Sequence, residues 1–227
     1  MVFDLITIFP DIFDSYVSES ILGRAVKQRR VKIRVHSLRR FSPDKKHHKV
    51  DNRPYGGGVG MVMQVEPFWK AVQAVKKIKV SSRARRARRR VVLTSAKGKP
   101  VTQADFQRWK KYDQLIILCG RYEGVDERVM NFVDEEVSIG PYVLTGGELA
   151  AAVMVDGVTR LLPGVLGKDE SSQEESHSVP GLGEYPQYTR PETFSPKRGV
   201  KWSVPEELKT GHHKLIAEWR KKHSKKV

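Results

Sequence analysis

Three apolar segments decide the fold: VVLTS at residues 91–95, QLIILCG at 114–120 and SIGPYVL at 138–144. Each is rich in branched or other apolar side chains, which is typical of strands buried inside a sheet. The amphipathic stretch 103–111 lies between the first two and predicts a helix. Apolar strands that alternate with helices indicate an α/β fold with a largely parallel sheet flanked by helices.

The flanking sequence extends this pattern with two more predicted strands and three more predicted helices. The strands are 2–8 and 31–36, and the helices are 10–26, 67–75 and 148–162. Between them, a basic stretch at 39–49 and a glycine cluster at 56–60 predict a long loop, because glycine favours neither helix nor strand.

The domain organisation is indicated by residues 167–183, which are acidic, serine-, proline- and glycine-containing and have little to bury. We therefore predict a first domain over 1–167, a flexible linker over 168–183 and a small, mainly α-helical C-terminal domain over 184–227. Its last helix, 213–223, carries apolar residues on one face and basic residues at its end.

The charge predicts a polyanionic partner. Lys and Arg number 42 against 26 Asp and Glu, a formal charge of +16, and such an excess repels itself unless an anion offsets it. Nucleic acid is the leading interpretation, and a merely basic protein is the alternative. Residues 76–90 are mostly basic and contain no acidic residue; they fit either an RNA contact or an exposed tether.

Several function classes are not supported by the sequence. The N-terminal residues lack a signal peptide or membrane span, and Cys119 sits in an apolar run as a reduced core residue, so we expect a cytoplasmic protein without membrane partners. The glycine cluster lacks a dinucleotide fingerprint, since Met63 stands where the third glycine is required. Phosphate-loop, zincin and paired-cysteine zinc motifs are absent from the sequence as well.

Three loops follow the predicted strands at their carboxyl ends: 94–99, 120–125 and 138–147. Ligands of open α/β sheets bind at that edge. Glycines in such loops let a ligand approach main-chain N–H and C=O groups, which can bind an adenine ring and a ribose. One such loop alone is readily explained as a tight turn, but three together favour a binding site.

At full length, six segments are more specific than any spacing pattern. They are GRYEGVDER (120–128), SIGPYVLTGGELAA (138–151), RPYGGGVGM (53–61), RLLPGVLG (160–167), PQYTRPE (186–192) and VPEELKTGHHKLIAEWR (204–220). In this order they resemble the bacterial tRNA (guanine-37-N1)-methyltransferase family, TrmD, of the SPOUT class, over nearly the whole chain. The resemblance implies a trefoil knot, rare among folds, bent S-adenosylmethionine held in that knot, a homodimer with shared sites, and a tRNA with G37, preceded by G36, as substrate.

The family's cofactor contacts carry over residue by residue to the three loops. They correspond here to Leu93, Thr94, Ser95, Ala96, Gly120, Tyr122, Glu123, Ser138, Ile139, Gly140, Pro141, Tyr142, Val143, Leu144, Gly146 and Gly147. Pro141 departs from the acidic residue common in the family, and Ala150 from a usual proline. Neither change removes a main-chain contact.

The resemblance also implies the catalytic residues. Guanine N1 reacts as it loses its proton, so the chemistry needs a general base and a cation to stabilise charge developing on O6. Arg160 matches the family arginine at O6. Glu175 stands where the family has an aspartate base, and its extra methylene leaves Asp169, Glu174 and His177 as alternatives. Mg²⁺ supports the family reaction, with Glu123 a possible contributor, but the sequence shows no ligand cluster and the metal site stays unknown.

Two other functions remain open at this point. A SPOUT methyltransferase acting on another RNA, such as ribosomal RNA, would keep the loops but lack the 204–213 segment of the C-terminal module. A non-catalytic RNA-binding protein would use the same basic surfaces and would not bind S-adenosylmethionine.

Overall fold

A computed structural model describes residues 1–80, 87–166 and 183–225 of the chain. The chain divides into two compact units, Met1–Lys168 and Asp169–Val227. Most of the predicted linker lies outside the described residues, so its boundaries and its flexibility stay predictions. No helix among the described residues is long and apolar enough to cross a membrane.

A five-stranded parallel sheet organises the first unit, with strand order β2-β1-β6-β5-β7. Its strands are β1 (Val2–Thr7), β2 (Lys32–Ser37), β5 (Arg89–Pro100), β6 (Gln114–Cys119) and β7 (Glu135–Ser138). A short antiparallel pair, β3 (Asp51–Asn52) and β4 (Val62–Met63), lies in the long loop region. The parallel α/β architecture predicted from the sequence is confirmed, and the trefoil knot stays a prediction.

Two hydrophobic cores cover the two faces of the sheet. The helices are α1 (Asp14–Ser18), α2 (Ser20–Lys27), α3 (Val65–Lys77), α4 (Gln103–Trp109) and α5 (Glu148–Thr159), with 3-10 turns at Pro10–Phe13, Leu38–Phe41 and Glu127–Asn131. Helices α2, α4 and α5 contribute to one core, and α3 contributes to the other. Strand β6 is buried throughout because its side chains alternate between the two cores.

The continuous helix predicted over 10–26 is wrong. The chain leaves the helical conformation at Glu19 and re-enters through Ser20, whose φ is +50°. Helix α2 then packs so closely on the end of α1 that a Cβ on Gly23 would lie 2.1 Å from the Ser18 carbonyl oxygen. The amphipathic pattern therefore spans two short helices, α1 and α2, that are separated by a break at Glu19.

The strand predicted over 138–144 is also wrong, apart from Ser138. Strand β7 is formed by the charged segment Glu135–Ser138, and the chain then becomes a loop at Gly140 and Pro141, residues that suit strand interiors poorly. The predicted loop 94–99 is instead an irregular part of β5. Its register against β7 shifts between Thr94 and Lys99, and a Cβ on Gly98 would lie 2.5 Å from the Val137 nitrogen.

The basic segment 76–90 divides among different structures. Its first two lysines end α3, residues 81–86 lie outside the described residues, and Arg89 and Arg90 belong to β5. Arg89 Nε donates to Gln114 Oε1 at 2.6 Å, and Arg90 Nε donates to Glu135 Oε1 at 2.5 Å. The side chains of these two arginines therefore link β5 to its neighbours β6 and β7. An RNA contact stays a prediction for the rest of the segment.

The second unit contains an antiparallel hairpin, β8 (Thr193–Lys197) and β9 (Val200–Ser203), followed by α6 (Glu206–Lys209) and α7 (His213–His223). The hairpin was not predicted, because its two short strands mix polar, basic and apolar residues and show no buried face. Helix α7 has the predicted bounds. Its Trp219 is buried and stacks on His223 with ring centroids 4.1 Å apart.

Candidate active site

The irregular part of β5 and the loops that follow β6 and β7 converge at one edge of the sheet, where they enclose a cavity of about 450 Å³. Gly147 N–H donates to the Gly120 carbonyl at 2.8 Å, and Arg121 forms an isolated antiparallel bridge with Gly146. These main-chain contacts join the loop after β6 to the loop after β7. The convergence expected at the carboxyl ends of parallel strands is therefore present.

Nearly all residues predicted to contact a cofactor line this cavity. They are Leu93, Thr94, Ser95, Ala96, Gly120, Tyr122, Glu123, Ser138, Ile139, Tyr142, Val143, Leu144, Gly146 and Gly147. Gly140 and Pro141 are not part of the lining. The Tyr142 ring covers Gly140, since a Cβ there would lie 2.3 Å from the ring. Contact with a ligand stays a prediction for all of them.

Glycine at 147 is required by close packing beside the cavity. A Cβ on Gly147 would lie 1.9 Å from Thr94 Oγ1 and 3.1 Å from the Cys119 Cα.

Tyr122, in the neighbouring loop, has a φ of +60°, in the left-handed region that favours glycine. Strained main chain of this kind persists where surrounding contacts fix it, and it clusters at ligand sites.

Gly60, at the end of the glycine cluster, and the residues just after it contact the loop after β6. Glu123 N–H donates to the Met61 carbonyl at 3.1 Å, and Met63 N–H donates to the Gly124 carbonyl at 3.0 Å. A Cβ on Gly60 would lie 2.5 Å from the Glu123 side chain. Gly60 therefore packs against a cavity-lining loop, whereas Gly56 and Gly57 have open space around them. The spacing of the glycines did not reveal this contact.

Further lining residues were missed by the sequence prediction: Lys97, Arg121, Gly124, Val125, Glu136, Val137, Thr145 and Ala150. Most lie inside or beside the quoted motifs, so their proximity in sequence was the available signal. Arg121 is the most connected of them. Its Nε donates to Glu148 Oε2 at 2.9 Å, and its guanidinium lies 4.6 Å from the Phe9 ring centroid.

Polar groups of the lining are suited to a ligand with hydrogen-bond donors. Glu136 Oε1 is buried and has no hydrogen-bond partner among the described residues, and such an atom gains free energy when a donor reaches it. Lys97 Nζ lies 3.9 Å from this oxygen. A hydrogen bond to Glu127 raises the pKa of Lys97, so its ammonium stays charged at neutral pH.

Cys119 is fully buried at the end of β6, as predicted. Burial raises the pKa of its thiol well above the ordinary value. The thiolate is the reactive form of cysteine, and burial disfavours it. The prediction that Cys119 is a core residue is confirmed.

Comparison with known proteins identifies the chain. The family model described as tRNA (Guanine-1)-methyltransferase TrmD matches residues 1–227. The chain belongs to this TrmD family. The tRNA (guanine-N(1)-)-methyltransferase of Geobacter sp. (strain M21) is 48% identical over 100% of this chain and 86% of its own length. That of Dehalococcoides mccartyi (strain ATCC BAA-2266 / KCTC 15142 / 195) is 46% identical over 99% and 86%.

A solved structure agrees with this membership. The crystal structure of tRNA (m1G37) methyltransferase from Aquifex aeolicus matches with a TM-score of 0.75 and 38% sequence identity, covering 98% of this chain and 88% of that one. The TrmD resemblance drawn from the six motifs is therefore confirmed. A binding protein without catalysis and a methyltransferase for another RNA are both disfavoured, since the relatives are tRNA methyltransferases.

Membership of the TrmD family implies S-adenosylmethionine as methyl donor. The cavity fits this molecule in size, because pockets for ligands of this class measure about 300–1,000 Å³. It fits in chemistry as well, since main-chain groups of the glycine loops and the buried Glu136 oxygen are available to the adenine, ribose and ammonium groups of the donor.

Of the two predicted catalytic residues, only Arg160 is among the residues that the structure describes. Arg160 follows α5 directly, and its N–H donates to the Asp156 carbonyl at 3.1 Å. Arg160 is half-buried and is not part of the cavity wall. Glu175 and its alternatives Asp169, Glu174 and His177 lie outside the described residues. Within 1–80, 87–166 and 183–225, no group of three or more His, Cys, Asp or Glu is arranged to hold a metal ion.

Proposed function

We propose that this enzyme transfers a methyl group from S-adenosylmethionine to N1 of guanine 37 in tRNA, next to the anticodon. The observation that carries the proposal is the convergence of the three strand-end segments around one cavity of about 450 Å³. Family membership indicates that the substrate is a tRNA. The similarity to the tRNA (m1G37) methyltransferase from Aquifex aeolicus supports position 37.

The donor supplies an electrophilic methyl group when it is bound in the cavity. The protein's part is to move a proton and to stabilise charge. We assign Glu175 as the base that takes the proton from guanine N1, because this proton must leave as the nitrogen attacks. We assign the Arg160 guanidinium to guanine O6, where negative charge develops, so that it stabilises the transition state more than the ground state.

The substrate guanine must leave its stack to reach the methyl group, since N1 is covered inside a base-paired or stacked strand. We propose that the second unit and the basic loops hold the anticodon stem-loop through its phosphates. The last turn of α7 supports this role, because Arg220, Lys221 and Lys222 are exposed there.

We further propose that the active enzyme is a homodimer in the cytoplasm, with each site completed by both chains. Exposed apolar residues on the first unit support self-association. Leu149 and Val153 lie on one face of α5 and are 60% and 45% exposed. Tyr16 of α1 is 46% exposed and donates to Asp156 on the same face of α5. Contiguous apolar patches of this kind mark protein interfaces.

Mg²⁺ enters the proposal only through Glu123, the exposed carboxylate in the cavity lining. Mg²⁺ commonly keeps several waters and binds one or two carboxylates together with the substrate. The described residues do not form a site of their own for this ion, so its binding is expected to depend on bound substrate.

The decisive experiment compares methylation of tRNA transcripts that differ at one position. A transcript with G36 and G37 is expected to accept one methyl group at N1 of G37, located by primer-extension arrest at that base. Replacement of G37 alone should abolish incorporation, and replacement of G36 should reduce it. Equal incorporation into a transcript lacking G37 would refute the assignment of position 37, and a failure to bind S-adenosylmethionine would refute the enzymatic function.

A further inference from the structure

Arg121 and Glu148 form an ion pair beside the cavity. Arg121 Nε donates to Glu148 Oε2 at 2.9 Å, and Arg121 Nη1 donates to the Thr145 carbonyl at 3.3 Å. The two side chains are only 19% and 2% exposed. Because water is largely excluded, these charge-assisted hydrogen bonds are stronger than those of surface pairs.

The pair connects three segments of the chain that are distant in sequence: the end of β1, the loop after β6, and the loop after β7 with the start of α5 that follows it. Glu148 begins α5, and its other oxygen accepts a hydrogen bond from Thr7 Oγ1, at the end of β1, at 2.7 Å. The Arg121 guanidinium packs on the Phe9 ring, just after β1. Its main chain bridges to Gly146 in the loop after β7. The end of β1, both cavity loops and the start of α5 therefore meet at this pair.

Gly146 leaves the space that the pair occupies. A Cβ on this residue would lie 2.1 Å from Arg121 Nε and 2.6 Å from Glu148 Oε2. A side chain at 146 would thus push the two charges apart. The local packing explains this glycine without any contact to a cofactor.

We propose that Arg121 is a positioning residue for the methyl donor: anchored by Glu148, it fixes the separation of the loops 120–125 and 139–147. Both loops line the cavity, so a fixed separation shapes it before the donor arrives and lowers the ordering cost of binding. The proposal rests on the proposed function for the identity of the ligand.

The test compares Arg121→Met with wild type in the full-length protein, without tRNA, by calorimetric titration with S-adenosylmethionine. We expect the Kd to rise about tenfold or more, because the loops must then be ordered on binding. In steady-state assays the KM for the donor should rise similarly, while kcat changes less than about threefold. Arg121→Lys keeps the charge and one donor, and should restore part of the affinity.

Arg128→Met is the matched control. Arg128, close by in sequence, also donates to a carboxylate, that of Asp126, but its side chain is largely exposed and lies outside the cavity lining. Its loss should leave the Kd unchanged. An equal loss of affinity in both variants would overturn the proposal.

A second variant separates positioning from stability. Arg121→Met leaves the buried Glu148 without its cation, so it should also lower the thermal midpoint. The double variant Arg121→Met/Glu148→Gln removes that unpaired charge and should regain thermal stability while donor binding stays weak. Recovery of both properties would reduce the pair to a structural contact. Wild type that does not bind the donor would refute the proposed function, whereas wild type and Arg121→Met binding equally would refute only this inference.

Discussion

The cavity region of the first unit buries and pairs its polar groups, whereas the second unit leaves most of its residues exposed. Around the cavity, Thr7 and Glu148 are buried and hydrogen-bonded to each other, and Arg121 is largely covered. In the second unit, β8 and β9 are exposed along nearly their whole length, and Trp219 is the one large apolar side chain that is buried among 183–225. The difference teaches that shape recognition of a small donor needs fixed, covered contacts, whereas a phosphate backbone is bound by exposed charge.

The largest expected effect lies in the segment that joins the two regions in sequence. Glu175→Gln should lower methyl transfer by about 10²–10⁴-fold, the usual contribution of a general base, while the Kd values for donor and tRNA stay nearly constant. Single-turnover methylation measures the loss, and Glu170→Gln, at a nearby carboxylate that is not among the candidate bases, serves as the control. Near-full turnover of Glu175→Gln would remove this residue from the role and direct attention to Asp169.

The second prediction compares a buried carboxylate of the first unit with an exposed one of the second by their effect on folding stability at low pH. Burial by itself raises the pKa of Asp4, but hydrogen bonds from His36, Arg34 and Gln114 outweigh it and lower the pKa below its ordinary value. A lowered folded-state pKa adds stability above the ordinary value, and this stability is lost as the pH falls from about 4 through the lowered pKa.

Asp4→Asn should therefore reduce the free energy of unfolding at neutral pH by about 3 kcal/mol, because it leaves Arg34 without its buried partner. It should also flatten the fall in stability below about pH 4. Denaturant unfolding across pH measures both. The control is Glu206→Gln in the second unit, whose exposed pair with Lys209 should contribute nothing measurable. Equal losses in the two variants would contradict the contrast between the regions.

Backbone packing gives the third test. Gly147→Ala should weaken S-adenosylmethionine binding about tenfold, because the new Cβ would lie 1.9 Å from Thr94 Oγ1 and must displace the cavity wall. Gly199→Ala, at the β8–β9 turn, has a φ of +79° and open space around it. It should cost only about 1 kcal/mol of local stability and leave donor binding intact. Calorimetric titration of both variants with S-adenosylmethionine measures the two affinities. Unchanged affinity in Gly147→Ala would show that the cavity wall can shift without affecting donor binding.

The smallest effect is expected from single charges of the second unit. Replacing Lys221 and Lys222 by Gln should weaken tRNA binding a few-fold and reduce the slope of log K against log salt by about 1 per lost phosphate contact. Donor binding should not change. Filter binding at several salt concentrations provides the slope. An unchanged slope would exclude the end of α7 from the RNA contact.

Much of the first unit could be predicted from the sequence because two of its central strands, β1 and β6, are buried along their whole length. The run 114–119 is apolar along its length and forms β6, and helix α7 has the predicted bounds because its apolar face is regular. The prediction failed where covered polar residues form regular structure, as in Glu135–Ser138, whose Glu135 pairs with Arg108 and Arg90. It also failed for the hairpin β8–β9, whose strands are short and almost wholly exposed.

For the site, the motifs predicted which residues line the cavity but not what holds the cavity open. Arg121 stands inside a quoted motif, yet its partners Thr145 and Glu148 and the neighbouring Phe9 lie far from it in sequence. Such contacts arise only when strands from different parts of the chain become neighbours in the sheet.

By itself, the sequence determined the fold class, the family and the three glycine-bearing segments, because burial patterns and motif residues are local properties of a chain. Only the tertiary structure decided that Gly146 and Gly147 make room for neighbouring side chains and that an ion pair joins the two cavity loops. It also decided that Gly60, Met61 and Met63 contact Glu123 and Gly124. The physical reason is that each of these depends on distances between segments remote in sequence, and packing of the sheet and its helices sets those distances.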